Sequence, residues 1–276
     1  MSVSVTFFGA RGSRPVSGSA YAQFGGDTAL VVLDCGAEPI LLDLGTGLSG
    51  FSRTLRDRGA FRASCLLSHY HFDHVQGLPF FADIDKIGNS LTIFAPDVGE
   101  KPLRTLYGPP FFPVSPFEFR GELEVRPIAA GRLELERSKA SVVASLVPHT
   151  NVAFGYRIEL GGATICYIPD HQAPYTRDTF AATALELADG ADLLIHDAQY
   201  TPAEFELKSN WGHSTHLYAV DFAIAARVKR LALFHHDPSH SDNDLLAMEL
   251  SAKEAYPSSG VEIFAARQGQ VLQIVP

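Results

Sequence analysis

The sequence predicts an α/β fold, and three observations carry the prediction. Short β-type runs are separated by Gly and Pro, a strand-then-helix rhythm returns in the second half, and the composition is 46% hydrophobic and 19% charged. That much apolar material supplies a sizeable core and argues against disorder. At 276 residues the chain fits one large domain, residues 1–276, better than two. No repeat, low-complexity tract or linker interrupts it.

Strands are expected first at Ser4–Phe8, Ala29–Asp34, Ile40–Leu44, Cys65–Ser68 and Leu91–Ala95, where β-favouring residues are bounded by turn formers. Between them Leu48, Phe51 and Leu55 share one helical face, which predicts a helix over Leu48–Arg58. Further strands are expected at Ser141–Leu146, Phe154–Leu160, Thr164–Ile168, Leu193–His196 and Arg230–Phe234. Helices are expected at Thr179–Ala188, Leu217–Ala226 and Asp242–Ala252, the last with Asp242 as N-cap. Two stretches stand apart. Residues 9–27 form a long Gly/Ser-rich loop. Residues 101–120, with five prolines and many aromatics, read as an ordered insertion loop lying over the surface.

Charge narrows the partners. With 22 basic against 31 acidic residues the net charge is −9, and no Lys/Arg-rich run appears. A grip on long nucleic acid needs a basic face to displace counterions, so a small substrate fits better, with a homodimer left open. Cys35, Cys65 and Cys166 lie in apolar runs without CxxC spacing, as expected of buried thiols in a reducing compartment. The first eight residues read as a strand and lack the features of a signal peptide, and no apolar run approaches the ~18 residues of a membrane span. A cytoplasmic, membrane-free protein is the expectation.

The densest chemical signal is Ser68–Pro79, in which His69, His71, Asp73 and His74 fall within six residues directly after an apolar strand. Imidazole and carboxylate are the donors that a borderline divalent ion prefers. His69 and His71, two positions apart, suit one ion, while Asp73 and His74 beyond the turn suit a second. A merely polar, His-rich loop is the bland alternative, and such ligand density rarely arises by accident.

These four residues match the HxHxDH motif, and the chain resembles the metallo-β-lactamase superfamily along nearly its whole length. The resemblance implies a four-layer αββα sandwich with two divalent metal ions at one edge of its sheets, Zn²⁺ foremost, with Mn²⁺ or Fe²⁺ also compatible. It implies three more ligands after strands, and His149, Asp170 and His235 stand in the expected order. His69, His71 and His149 would hold the first ion, Asp73, His74 and His235 the second, and Asp170 would bridge them. His236 neighbours His235, but a strand ending at Phe234 favours His235. His236, Asp237 and His240 are then expected in supporting positions or at the pocket rim, with His236 also a substrate-binding candidate.

Trp211–Thr215 and Leu194–Thr201 look like the phosphodiesterase branch of that superfamily, which includes ribonuclease Z and phosphoribosyl cyclic phosphodiesterase. By that resemblance His213 is the general acid and Asp197 its supporting carboxylate, while Asp73 is counted among both the catalytic residues and the ligands. A bridging hydroxide would attack phosphorus while His213 protonates the departing oxygen. The bland readings are a helix-capping His213 and a solvated Asp197. Ribonuclease Z commonly carries Glu where Asp197 stands, and its long basic arm has no counterpart here, which points away from tRNA and toward a cyclic nucleotide or cyclic sugar phosphate. Phe8–Val16 and Gly25–Thr28 look closer to bacterial small-molecule relatives, many of which carry Asn where Asp27 stands. Arg11 and Arg14 either touch a substrate phosphate or are solvated. Phe111, Phe112 and Phe117 are expected to pack the insertion rather than to stack a base. The enzymatic alternative is a thioesterase or lactonase, and the non-enzymatic one a metal-stabilised nucleotide-binding or sensor module. An oxygen-reducing diiron protein is disfavoured, since that relative usually has Glu at the His71 position and a flavin domain.

Overall fold

A computed structural model describes residues 2–36, 38–56, 59–96, 98–176 and 178–275. Along the chain the strands and helices alternate. The first part runs β1 (Val3–Gly9), β2 (Leu30–Asp34), β3 (Ile40–Leu42), α1 (Leu48–Thr54), β4 (Arg62–Leu66), α2 (Phe72–Val75), β5 (Ser90–Pro96), α3 (Lys101–Leu106) and β6 (Glu122–Ile128). The second runs β7 (Gly131–Leu135), β8 (Ala140–Leu146), β9 (Phe154–Leu160), β10 (Ala163–Ile168), α4 (Ala182–Ala188), β11 (Leu193–Asp197) and α5 (Pro202–Lys208). It continues with α6 (His216–Ala225), β12 (Arg230–Phe234), α7 (Asp242–Ala255), β13 (Glu262–Ala265) and β14 (Val271–Ile274).

The strands form two seven-stranded sheets, ordered β14-β1-β2-β3-β4-β5-β6 and β13-β12-β11-β10-β9-β8-β7. Alternation along each strand decides which face is buried against what. In β1 the buried Val3, Val5 and Phe7 alternate with half-buried Ser4, Thr6 and Phe8. Ile165 and Tyr167 of β10 join that inner set, so one apolar core lies between the sheets. Cys166 and Ile168, on the other face of β10, pack under α4, α6 and α7. Leu41, Cys65 and Ile93 of the first sheet likewise pack under α1 and α3. Each fully buried aliphatic side chain contributes ~1.5–3 kcal/mol. The result is the expected αββα sandwich.

Several expectations need correction. The helix predicted over Leu48–Arg58 ends at Thr54, and Asp57 and Arg58 lie outside the described residues. The helix expected from Thr179 begins at Ala182. Ser241, not Asp242, caps α7: its side chain accepts from the Asp244 N–H while the Asp244 side chain accepts from the Ser241 N–H, a reciprocal capping box. Strands β6, β7, β13 and β14 and helix α5 carry regular structure where none was expected. The 101–120 stretch is not all loop, since it contains α3 and a single 3-10 turn at Pro116–Glu118. Tyr107 there is buried and donates to the Val75 carbonyl (2.6 Å), tying the stretch to the histidine-rich segment. Phe112 packs edge-on to Tyr107, and Arg104 lies over Phe117, whereas Phe111 is exposed. Cys65 and Cys166 are buried, Cys35 is half-buried, and all three are free. Among the described residues no helix is long and apolar enough to cross a membrane.

Candidate metal centre

Strand direction builds the site. In the second sheet β10, β11 and β12 are mutually parallel, and β8 runs the same way because two antiparallel pairings separate it from β10. Their carboxyl ends therefore share one edge, where open α/β sheets place their ligands. His149 follows β8, Asp170 follows β10, Asp197 ends β11 and His235 follows β12. From the first sheet, β4 delivers Ser68 and His69, and α2 carries Asp73 and His74.

All seven sequence-predicted ligands come together, in two groups split across one carboxylate. Oδ2 of Asp170 lies 3.7 Å from Nε2 of both His69 and His149, and His149 Nε2 lies 3.2 Å from His71 Nδ1. Oδ1 of Asp170 lies 3.0 Å from His74 Nε2 and 3.4 Å from His235 Nε2. Asp73 Oδ2 lies 3.0 Å from His235 Nε2 and 3.3 Å from His74 Nε2. Donors at ~2.0–2.1 Å from a tetrahedral ion sit roughly 3.3 Å from one another, which is the spacing found. His69, His71, His149 and Asp170 each offer one donor atom within 4.8 Å of the others, and so do Asp73, His74 and His235. His69 Nε2 and Asp170 Oδ1 are buried and have no hydrogen-bond partner among the described residues, although His74 Nε2 is close to the latter. Stranded lone pairs facing a common centre fit a cation, because leaving them bare would cost about 1–3 kcal/mol each.

Electrostatics agree with this fit. Burial pushes the His69, His71 and His149 imidazoles below their ordinary pKa, so their nitrogens present lone pairs. In the second group burial also opposes charge on histidine, but Asp73, Asp170 and Asp43 outweigh it at His74, whose pKa is raised. Asp170 and Asp73 likewise outweigh burial at His235 and raise it to about 9. Burial would raise Asp73 and Asp170, yet the surrounding histidines hold both well below the usual carboxylate range. The carboxylates thus demand positive charge at the spot where the donors converge.

Each ring is aimed by a partner the sequence did not reveal. His74 Nδ1 lies 2.7 Å from Asp43 Oδ2, and His235 Nδ1 lies 2.7 Å from Gln199 Oε1. His149 Nδ1 donates to the Gly212 carbonyl (2.8 Å), His69 Nδ1 meets Ser68 Oγ (3.0 Å), and His71 Nε2 meets Asn151 Nδ2 (3.0 Å). Gly212 has φ +95°, and a Cβ there would stand 2.5 Å from His149 Nδ1, so only glycine lets the loop approach. Asp43 offered one signal: it is the charged residue that ends an apolar strand. Gln199 and the Gly212 carbonyl offered none, because their partners are distant in sequence.

His213 and Asp197 also meet. His213 Nδ1 donates to Asp197 Oδ2 (2.8 Å), and that oxygen also accepts from the His171 N–H while Oδ1 accepts from the Gln199 N–H. Asp197 is fully buried rather than solvated, and the cap of α6 is Thr215, not His213. A third grouping of Asp170, His213 and His235 also comes within ligand distance, but Nδ1 of His213 is committed to Asp197.

The substrate candidates fare differently. Arg11 is 1% exposed and donates to the carbonyls of Gly25, Asp237 and His240, so it fastens loops and is not free for a phosphate. His236 is equally buried, with Nε2 donating to the Ala266 carbonyl and its ring edge-on to Phe24, which takes it out of substrate reach. Arg14 is exposed, and its guanidinium donates to the carbonyl of its neighbour Pro15. His240 pairs with Glu204, and Asp237 accepts from Ser239.

Comparison with known proteins places this geometry. A family model described as a beta-lactamase superfamily domain matches residues 31–236. Ribonuclease Z of Natronomonas pharaonis is 26% identical over 316 residues, covering 99% of this chain and 98% of that one. Ribonuclease Z of Haloferax volcanii is 28% identical, covering 99% and 96%. Among solved structures, the metallo-beta-lactamase fold protein YhfI from Bacillus subtilis gives a TM-score of 0.74 at 18% identity, covering 99% of both chains. The short form of human tRNase Z gives 0.68 at 22% identity, covering 99% and 100%.

Proposed function

The chain belongs to the metallo-β-lactamase superfamily, on the side of its ribonuclease Z relatives, and from that premise we propose that it is a metal-dependent phosphodiesterase with two divalent ions and His213 as general acid. A carboxylate shared between two donor groups, with a buried His–Asp pair beside it, is the observation that carries this reading.

His69, His71 and His149 with Oδ2 of Asp170 would hold one ion, and Asp73, His74 and His235 with Oδ1 the other. When bound, a pair of divalent ions, Zn²⁺ being our first choice for these donors, supplies a water activated near neutral pH and offsets charge on the phosphoryl oxygens. Asp73 Oδ2 also accepts from the Ser13 N–H (2.6 Å), which fixes the carboxylate. Asp197 accepts from Nδ1 of His213 and fixes the ring, leaving Nε2 to face the substrate as the proton donor. As water adds to phosphorus and the phosphorus–oxygen bond breaks, the Nε2 proton passes to the departing alkoxide.

The relatives' name points to phosphodiester chemistry and does not fit a substrate restricted to small molecules. The class proposed is therefore the phosphodiester, with cyclic nucleotides and cyclic sugar phosphates as first candidates because the net charge is −9. The test is metal analysis alongside turnover of cyclic phosphates, a dinucleotide, thioesters and lactones by wild type and His213→Ala. We expect His213→Ala to keep its metal and lose ~10²–10⁴ in rate on poor leaving groups. Equal turnover by the variant would remove the acid role, and activity confined to thioesters or lactones would replace the reading.

A further inference from the structure

Resting on that reading of the site, we propose that Lys208 is the cation that receives a second phosphate of the substrate, carried on its leaving-group side. Arg11, the sequence's own candidate for such a role, is buried among carbonyls, which leaves the question of what meets substrate charge beyond the scissile bond. Lys208, at the end of α5, has its ammonium 4.7 Å from the Tyr200 ring centre and 5.5 Å from that of Trp211. Tyr200 in turn packs edge-on against His213, so the cation stands one ring away from the general acid.

Its ammonium is partnered but not saturated. Among the described residues it pairs with Asp237 Oδ2 at 3.4 Å, while Oδ1 of Asp237 is committed to the N–H and hydroxyl of Ser239. Two aromatic faces stabilise an ammonium and strip part of its hydration without neutralising it. Such a lysine retains donors for a phosphate, which it binds as a point charge.

The loop that follows is held rigidly. Gln172 donates to the Ser209 carbonyl (2.7 Å) and accepts from the Gly212 N–H (2.7 Å), bracketing Trp211. Trp211 is 59% exposed and sits two residues before His213, so its ring is open to solvent beside the lysine. The second phosphate is shared chemistry of two sources: the adjoining linkage of a nucleotide chain, and a small diphosphate in which the leaving group is itself a phosphate.

The experiment compares metal-loaded wild type, Lys208→Met and Lys208→Arg on the dinucleotide UpU, on UpU bearing a 5′- or 3′-phosphate, and on ADP-ribose. The quantity read is the preference, in kcat/KM, for each phosphorylated substrate over plain UpU. Lys208→Met should lower that preference about tenfold, chiefly through KM, and Lys208→Arg should restore most of it. Loss confined to the phosphorylated dinucleotides assigns the nucleotide chain, and loss confined to ADP-ribose assigns the small diphosphate. A preference that does not change on any substrate overturns the proposal. Trp211 fluorescence titrated with inorganic pyrophosphate reads binding without turnover. Lys208-dependent quenching in a protein that cleaves no phosphodiester would sink the hydrolase reading and leave this subsite standing.

Discussion

Among single residues, Asp43 has the widest reach. Its φ is +64°, and its carboxylate accepts from the Ser68 N–H (2.7 Å) and hydroxyl (2.9 Å), from His74 Nδ1 (2.7 Å) and from the Tyr167 hydroxyl (2.7 Å). A strained backbone persists only where its surroundings over-determine it, and four donors do so here. Asp43→Ala should weaken metal affinity by ~10–100-fold, the usual effect of losing a ring-orienting partner, as read by competition with a chromogenic chelator. Unchanged affinity would mean that His74 is aimed by something else. The side chains that converge were legible in the sequence because His69, His71, Asp73 and His74 cluster and because the family resemblance implied His149, Asp170 and His235 after strands. Their supports were not. Gln199 reaches His235, and Asn151 reaches His71, only once distant loops meet.

At the level of elements, legibility followed burial. Strands buried on both faces, such as β11 and β12, announce themselves as apolar runs. Strand β6 does not: Glu122–Ile128 alternates charge with half-buried residues and contains Pro127, tolerable because β6 is an edge strand. Helix α5 does carry a signal in the sequence, since Thr201 and Glu204 form a capping box with Pro202 at the first helical position. The same logic gives a prediction for α7. Ser241→Ala removes a side chain that accepts from Asp244 N–H and should destabilise the protein by about 1 kcal/mol in denaturant unfolding. Strand β11 makes another. Burial depresses the His196 pKa to about 4, against the partial opposition of Asp197, whereas the unfolded chain titrates near ~6.5. The unfolded state therefore binds the extra proton, so stability is complete above pH ~6.5 and falls as pH drops toward about 4, by roughly 3 kcal/mol. His196→Asn should shrink that acid-side loss in unfolding curves recorded across the window. An identical pH slope in the variant would contradict it.

For the molecule as a whole, the decisive fact is that the donors come from both sheets: His69 from the first, and His149, Asp170 and His235 from the second. Cations bound at a thousandfold excess over their dissociation constant would add ~4 kcal/mol to folding stability. Stripping them with a chelator should lower the thermal midpoint by roughly 10 °C at this chain length, reversibly on adding Zn²⁺. An unmoved midpoint would mean that the converging side chains hold no ion that matters to folding. The divided allegiance of Asp170 has one more consequence. Its two oxygens are separated by a bond angle at a trigonal carbon, a dimension that loop breathing and temperature scarcely alter. Whatever the neighbouring loops do, the gap between the two donor groups that Asp170 faces is gauged by covalent geometry, so warming should blur the rim of the cleft well before it stretches the centre.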